Sequence, residues 1–180
     1  MHPAPTFTAQ DLMFGTPLAS VEEVAALPDE SVIVLIKDNG AFISEDIYQK
    51  WGQWQNMDPS DRDDGERTYT PDDIVDIATL RDHRQIIHLW SPGDTDFGAP
   101  ISEVSELADV PEHGIVLATR TSSLGSTDTT IFLRVWGSWM EFDPADRYDG
   151  EESLSDFDIQ GYGDLRHIWS PPKPRGSTKS

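Results

Sequence analysis

Hydrophobic and polar positions fall into short blocks whose period alternates between that of a helix and that of a strand, and the blocks come round twice. Val21, Val24 and Leu27 recur at helical spacing between Ser20 and Pro28. This predicts a short amphipathic helix on which Ser20 and Glu23 close a capping box. The second occurrence runs from Pro100-Ile101-Ser102 through E-V-S-E-L-A-D-V to Pro111. Acidic residues at both starts suit the positive end of the helix dipole. A β-rich run follows each time, Val32 to Ile36 and then Ile115 to Thr119. The first meets Asn39-Gly40, a pair that favours positive φ at both central positions and predicts a two-residue type I′ turn. The second meets T-S-S-L-G-S-T-D-T-T, read as a longer polar loop.

The best-matched stretch comes next. Trp51 to Glu66 and Trp136 to Glu151 share the pattern W-G-x-W-x-x-x-D-P-x-D-R-x-D-G-E. Glycine at the first of two central positions is a type II′ signature, so Gly52-Gln53 and Gly137-Ser138 are expected to turn a hairpin with flanking tryptophans opposed. That register sets Trp136 against Trp139, Val135 against Met140, Arg134 against Glu141 and Leu133 against Phe142. It places both tryptophan pairs on the more polar face. Copy one pairs Trp51 with Trp54, Gln49 with Asn56 and Tyr48 with Met57 in the same way. After the acidic stretch, Thr70 and Pro71 start a helix through Ala78, and Ser155 to Ile159 forms a shorter equivalent. Both copies close on a strand, Gln85 to Trp90 and Leu165 to Trp169, each followed by Ser-Pro.

The expected fold is therefore α+β: two tandem pseudo-repeats, each a small antiparallel β-meander with one or two short helices. The boundaries read as an N-terminal extension over 1–16, repeat lobe 1 over 17–92, a linker over 93–99, repeat lobe 2 over 100–171, and a mobile basic tail over 172–180. A lobe of about 80 residues buries only around 60 % of its unfolded surface, so each is marginal alone.

Charge changes the picture of what such lobes do. The chain carries 33 acidic and 13 basic side chains among 180 residues, for a formal charge of −20. Residues 1–92 hold six basic and seventeen acidic groups and residues 93–180 hold seven and sixteen, so the excess is spread over both halves. A field of that sign repels nucleic acid and anionic membrane and attracts basic protein surfaces. The absence of cysteine excludes disulfides and thiolate metal sites. The start lacks the n- and h-regions of a secretory signal, no apolar run approaches the ~20 residues that span a bilayer, and a cytoplasmic location is expected.

Three clusters carry candidate chemistry. The first is acidic: Asp58, Asp61, Asp63, Asp64 and Glu66, with Asp143, Asp146, Asp149 and Glu151. Clustered carboxylates suit hard cations, but aligning the glycine to a calcium loop puts Ser60 or Ala145 first and Arg62 or Arg147 third, so that pattern fails. Turn-capping aspartates paired with the local arginine are the expected arrangement, and no metal or cofactor is expected. The second cluster is aromatic: Trp51, Trp54, Trp136 and Trp139, either interface anchors or buried packing. His88 and His167 form the third. They occupy matching places in the closing strands, without the neighbouring motif that histidine chemistry needs, and read as satisfied structural residues. No nucleophile elbow, phosphate loop or H-E-x-x-H is present.

Leu27-Pro28, Ser31-Val32-Ile33-Val34, Asp38-Asn39-Gly40-Ala41-Phe42, Trp51, Trp54 and Leu89-Trp90-Ser91-Pro92 together form a skeleton. Val110-Pro111, Ile115-Val116-Leu117 and Ile168-Trp169-Ser170-Pro171 match it in part. The skeleton resembles small accessory proteins of uncharacterised function from actinobacterial phages, which implies a phage or actinobacterial origin and no activity. The expected function is a non-enzymatic acidic binding protein that docks on a basic host or defence protein as an inhibitor, with its carboxylates imitating a nucleic acid's phosphates. The nine carboxylates and four tryptophans named above are its expected contact residues. A structural or assembly component of a virion is the alternative, and a metal- or small-ligand-binding protein a third.

Overall fold

The computed structural model describes residues 15–38, 43–56, 68–81, 84–95, 97–142 and 153–170. They form an α+β protein with two antiparallel sheets and a few short helices, divided into two compact units. Unit 1 holds the described residues up to 95, and unit 2 those from 97 to 170.

In unit 1 the chain runs β1 (Thr16–Leu18), α1 (Val21–Ala26), β2 (Val32–Asp38), β3 (Ile43–Trp51), β4 (Gln53–Asn56), β5 (Thr68–Tyr69), α2 (Pro71–Asp76) and β6 (Gln85–Trp90). A π-helical turn, Ile77–Arg81, extends α2. The strand order is β1-β6-β2-β3-β4-β5. The central strand β2 is buried on both faces, which is why it reads as an unbroken V-I-V-L-I run. One face, with Ile33, Leu35, Tyr48, Trp54 and Ile86, packs against Val24 of α1 and Ile74 of α2. Proline lies in edge strand β1, where a missing donor costs no ladder bond.

Unit 2 runs β7 (Ala99–Ile101), α3 (Val104–Ala108), β8 (Ile115–Thr121), β9 (Thr127–Val135), β10 (Ser138–Phe142), α4 (Asp156–Gln160) and β11 (Asp164–Trp169). Its sheet order is β10-β9-β8-β11-β7. Val116, Ala118, Phe132, Trp139 and Leu165 pack against Leu107 of α3 and Ile159 of α4.

Capping shapes the helices of both units. Ser20 Oγ accepts from Glu23 N, and the Glu23 carboxylate accepts from Ala19 N and Ser20 N. Thr70 with Asp73 and Ser155 with Asp158 close the same reciprocal box on α2 and α4. Ahead of the edge strands, Gly15 (φ +114°) and Gly98 (φ +55°) have no room for a side chain, since a Cβ would lie 2.5 Å from Ile87 Cγ2 and His167 O respectively.

Several expected details are corrected. In unit 2 Ser138 pairs with Val135, Trp139 with Arg134, Met140 with Leu133 and Glu141 with Phe132, so the two tryptophans are not opposed. The turn is Trp136-Gly137, with φ of 52° and 75°, a type I′ pair in place of the expected type II′. Each partner moves by two residues, so every side chain keeps its face. In unit 1 Lys50 pairs with Trp54 and Trp51 with Gln53 around Gly52 alone. That tip is one residue shorter, and a one-residue slip turns Trp54 onto the helix-covered face.

Pairing of Asp38 with Ile43 leaves 39–42 between the strands, whereas a two-residue turn at Asn39-Gly40 pairs Asp38 with Ala41. Those four residues lie outside the described ones. Half of the polar run from Thr121 to Thr130 is strand. Thr119 pairs with Thr129, Arg120 with Asp128 and Thr121 with Thr127, and only 122–126 turn. Cross-strand threonines and an opposite-charge pair favour pairing over loop. Strand β7 begins at Ala99, inside the expected linker. Strand β1 begins at Thr16, inside the expected extension.

Candidate functional site

Each hairpin tip is held by the turn that leaves the preceding helix. In unit 1 that turn is Pro28-Asp29-Glu30, with Glu30 at φ 69°. Asp29 Oδ1 accepts from Gly52 N at 2.9 Å, and Lys50 Nζ donates to Ala25 O and Leu27 O at the end of α1. The Lys50 ammonium lies 6.0 Å from the Trp54 ring centroid. In unit 2 His113 takes φ 64°, and Glu112 accepts from Trp136 N (2.8 Å) and Gly137 N (2.6 Å). Arg134 donates to Leu107 O, Gly137 O and Asp156 Oδ1, with its guanidinium carbon 5.1 Å from the Trp139 ring centroid. Both tips are thus pinned by a carboxylate on the backbone and a cation on the inner indole.

The four tryptophans separate into two kinds. Trp54 and Trp139 are fully buried. They sit on the helix-covered faces and not on a polar one, which corrects their expected role as anchors. Burying an indole removes roughly 200 Å² of apolar surface from water, worth about 5 kcal/mol at 25 cal/mol per Å². Trp139 Nε1 donates to Asp156 Oδ1 at 2.7 Å. Trp54 Nε1 has no acceptor among the described residues, the position matching Asp156 at the start of α2 being Pro71. The other two indoles stay in water, Trp51 at 45 % and Trp136 at 83 % exposure. Phe157 on α4 is 76 % exposed and was not among the expected residues. Its spacing from buried Ile159 is the signal that finds it, since two residues apart on a helix point to opposite sides.

Asp58, Asp61, Asp63, Asp64, Glu66, Asp143, Asp146, Asp149 and Glu151 lie outside the described residues. Among the described residues no group of three or more histidine, aspartate or glutamate side chains is placed to hold a metal ion. No helix among them is long and apolar enough to cross a membrane.

The closing-strand histidines are tied to serines three residues on. Ser31 Oγ donates to Pro28 O (2.7 Å) and lies 2.7 Å from Ser91 Oγ. A hydroxyl has one proton, so Ser91 must donate to Ser31 and accept from His88 Nε2, also 2.7 Å away. The imidazole therefore presents N–H to this serine and is not its base. His167 Nε2 faces Trp169 O (2.8 Å) and Ser170 Oγ (2.5 Å), and a carbonyl accepts only, so the same nitrogen carries the proton there. Burial holds both imidazoles below their ordinary pKa. The nearby Asp94 charge and the Trp90 backbone oppose this at His88, and the Trp169 backbone does so at His167. The arrangement latches the end of each closing strand.

Comparison of the chain with protein-family models, with curated protein sequences and with solved structures finds no match.

Proposed function

We propose that this chain is a duplicated, non-enzymatic binding protein that docks on a basic protein surface through its hairpin tips and acidic stretches. One observation carries the reading. Each W-G-x-W stretch buries its second indole and leaves its first in water at a carboxylate-pinned tip, on a chain of formal charge −20. Rigid exposed aromatics are the residues that anchor protein interfaces, and a surrounding negative field selects a positive partner. Duplication is supported by devices that recur in both units: a glycine before an edge-strand proline, a glutamate closing the first helix's start, a carboxylate on the tip, a cation on the inner indole, and a histidine bonded to a serine three residues on.

Asp58, Asp61, Asp63, Asp64 and Glu66, with Asp143, Asp146, Asp149 and Glu151, supply the field in this reading, and imitation of a nucleic acid's phosphate array is its most specific form. The test is capture of the partner by the immobilised full chain, followed by titration of the purified pair at low and high salt. Affinity is expected to fall steeply with salt and with charge reversal in either acidic stretch. Binding indifferent to both removes the reading.

A further inference from the structure

We infer that the corner of unit 2 formed by Trp136 and Phe157 is a receptor for an arginine-bearing segment of the partner. The inference rests on the binding-protein reading and names the chemistry of one contact.

Trp136 occupies the first central position of a type I′ turn at φ 52°. That position favours asparagine, aspartate or glycine, and a bulky side chain there is a true outlier. The chain thus places its largest side chain where the backbone disfavours it and leaves 83 % of it in water. Packing does not explain the choice. Glu112 binds both turn amides and fixes the tip, so the indole is displayed from a rigid base. Strain held in place by such a clamp points to use of the strained residue.

Phe157 belongs to the same corner. Arg134 donates to Gly137 O, next in the chain to Trp136, and to Asp156 Oδ1, next to Phe157. One guanidinium therefore bridges the neighbours of both exposed rings. The matching place in unit 1 holds Asp72, and the tip there lacks the extra residue, so among the described residues the two-ring corner is found in unit 2. The charge around them decides the occupant. Glu112 and Asp109 are exposed beside the tip and α3, while Arg134 is committed to three acceptors. An aliphatic anchor gains nothing from carboxylates. A guanidinium stacks flat on an indole while its edge N–H groups reach carboxylates, which an ammonium does less well.

The test uses the isotope-labelled full chain and two synthetic peptides, identical except that one carries arginines where the other carries lysines. The Trp136 indole N–H resonance is assigned by substitution. The arginine peptide is expected to shift that resonance and to bind more tightly than the lysine peptide. Trp136→Gly is expected to weaken it about 5- to 30-fold, the equivalent of a ~1–2 kcal/mol cation–π contact at 1.4 kcal/mol per tenfold, with Phe157→Ala weakening it less. Glycine also relaxes the turn, so this variant should be at least as stable as the parent in urea, which separates a binding role from a structural one. Equal binding of both peptides with Trp136 unmoved overturns the inference and leaves the basic-partner reading standing. Failure of both peptides to bind at low salt overturns both.

Discussion

Asp156→Ala tests the account of how the unit 2 tip is held. Asp156 Oδ1 accepts from Trp139 Nε1 at 2.7 Å and from Arg134 at 2.9 Å, so one alanine strips two donors at once. Trp139 has no solvent exposure, and its N–H left without a partner costs about 1–3 kcal/mol. Arg134 keeps Leu107 O and Gly137 O, and the aspartate side chain is 24 % exposed. The lost ion pair is therefore worth about 1 kcal/mol and not the 3–5 of a fully buried pair. Together these give a loss of about 2–4 kcal/mol. Asp156→Asn retains an oxygen for the indole and removes only the charge, so about 1 kcal/mol is expected. Urea unfolding followed by tryptophan fluorescence measures the total, and hydrogen exchange at the Trp139 indole localises it. Trp54 in unit 1 serves as an internal reference. A loss below ~0.5 kcal/mol, the range of unremarkable surface substitutions, or unchanged Trp139 exchange, would refute the reasoning.

Gly98→Ala meets a Cβ-to-oxygen distance of 2.5 Å at His167 O as well as a positive φ, so β7 must move off β11. A loss of at least ~1–2 kcal/mol in urea is expected, and a neutral result would remove the close approach. Acid should weaken the two histidine latches. Their folded pKa values lie below the ordinary value near 6.5, so the unfolded chain binds more protons. The contribution is full above about pH 6.5 and is lost as pH falls through the folded values. Gln in place of His88 and His167 keeps a donor towards the serines and should flatten that part of a stability–pH curve. A curve unchanged by both substitutions would count against the latch.

The features legible in the sequence are those set by a few neighbouring residues. Ser20 with Glu23 and Thr70 with Pro71 specify helix starts within one turn, and β2 announces its burial on both faces by the unbroken apolar run from Val32 to Ile36. The edge strands β1 and β7 were not legible: Gly15-Thr16-Pro17-Leu18 and Gly98-Ala99-Pro100-Ile101 read as an extension, a linker and approaches to helices, because three residues are too few to show a period. Register was not legible. W-G-x-W fits a turn at either of two places, and the choice is made by groups distant in sequence. Asp29 and Glu112 bind the tip amides, and the α1–α2 and α3–α4 faces each take one indole. The division of four similar tryptophans into two buried and two exposed follows from that choice. The exposed pair is the part of the candidate site that sequence reached, while Phe157 needed the helix face to be known.

The single residue by which the two tips differ yields the sharpest test of their equivalence. Strands β3 and β9 are both nine residues long, and each ends beside a basic residue paired with the buried indole, Lys50 with Trp54 and Arg134 with Trp139. Aligning the tryptophans by sequence therefore misplaces the strands. Trp51 ends its strand where Val135 ends the other, and Trp136 has no counterpart. Deleting Trp136 should convert the second tip into the geometry of the first, with Val135 facing Ser138 around Gly137 and Arg134 still opposite Trp139. Glu112 would then grip one amide, as Asp29 does. Every ladder pair survives, so the deletion is expected to cost no more than ~1 kcal/mol, unusual for a residue removed from a hairpin. The Trp139 indole resonance should stay in place. An exposed Trp139 or a collapsed β9–β10 pair would mean that the extra residue sets the register, and the correspondence between the units would fail at the point where it is most specific.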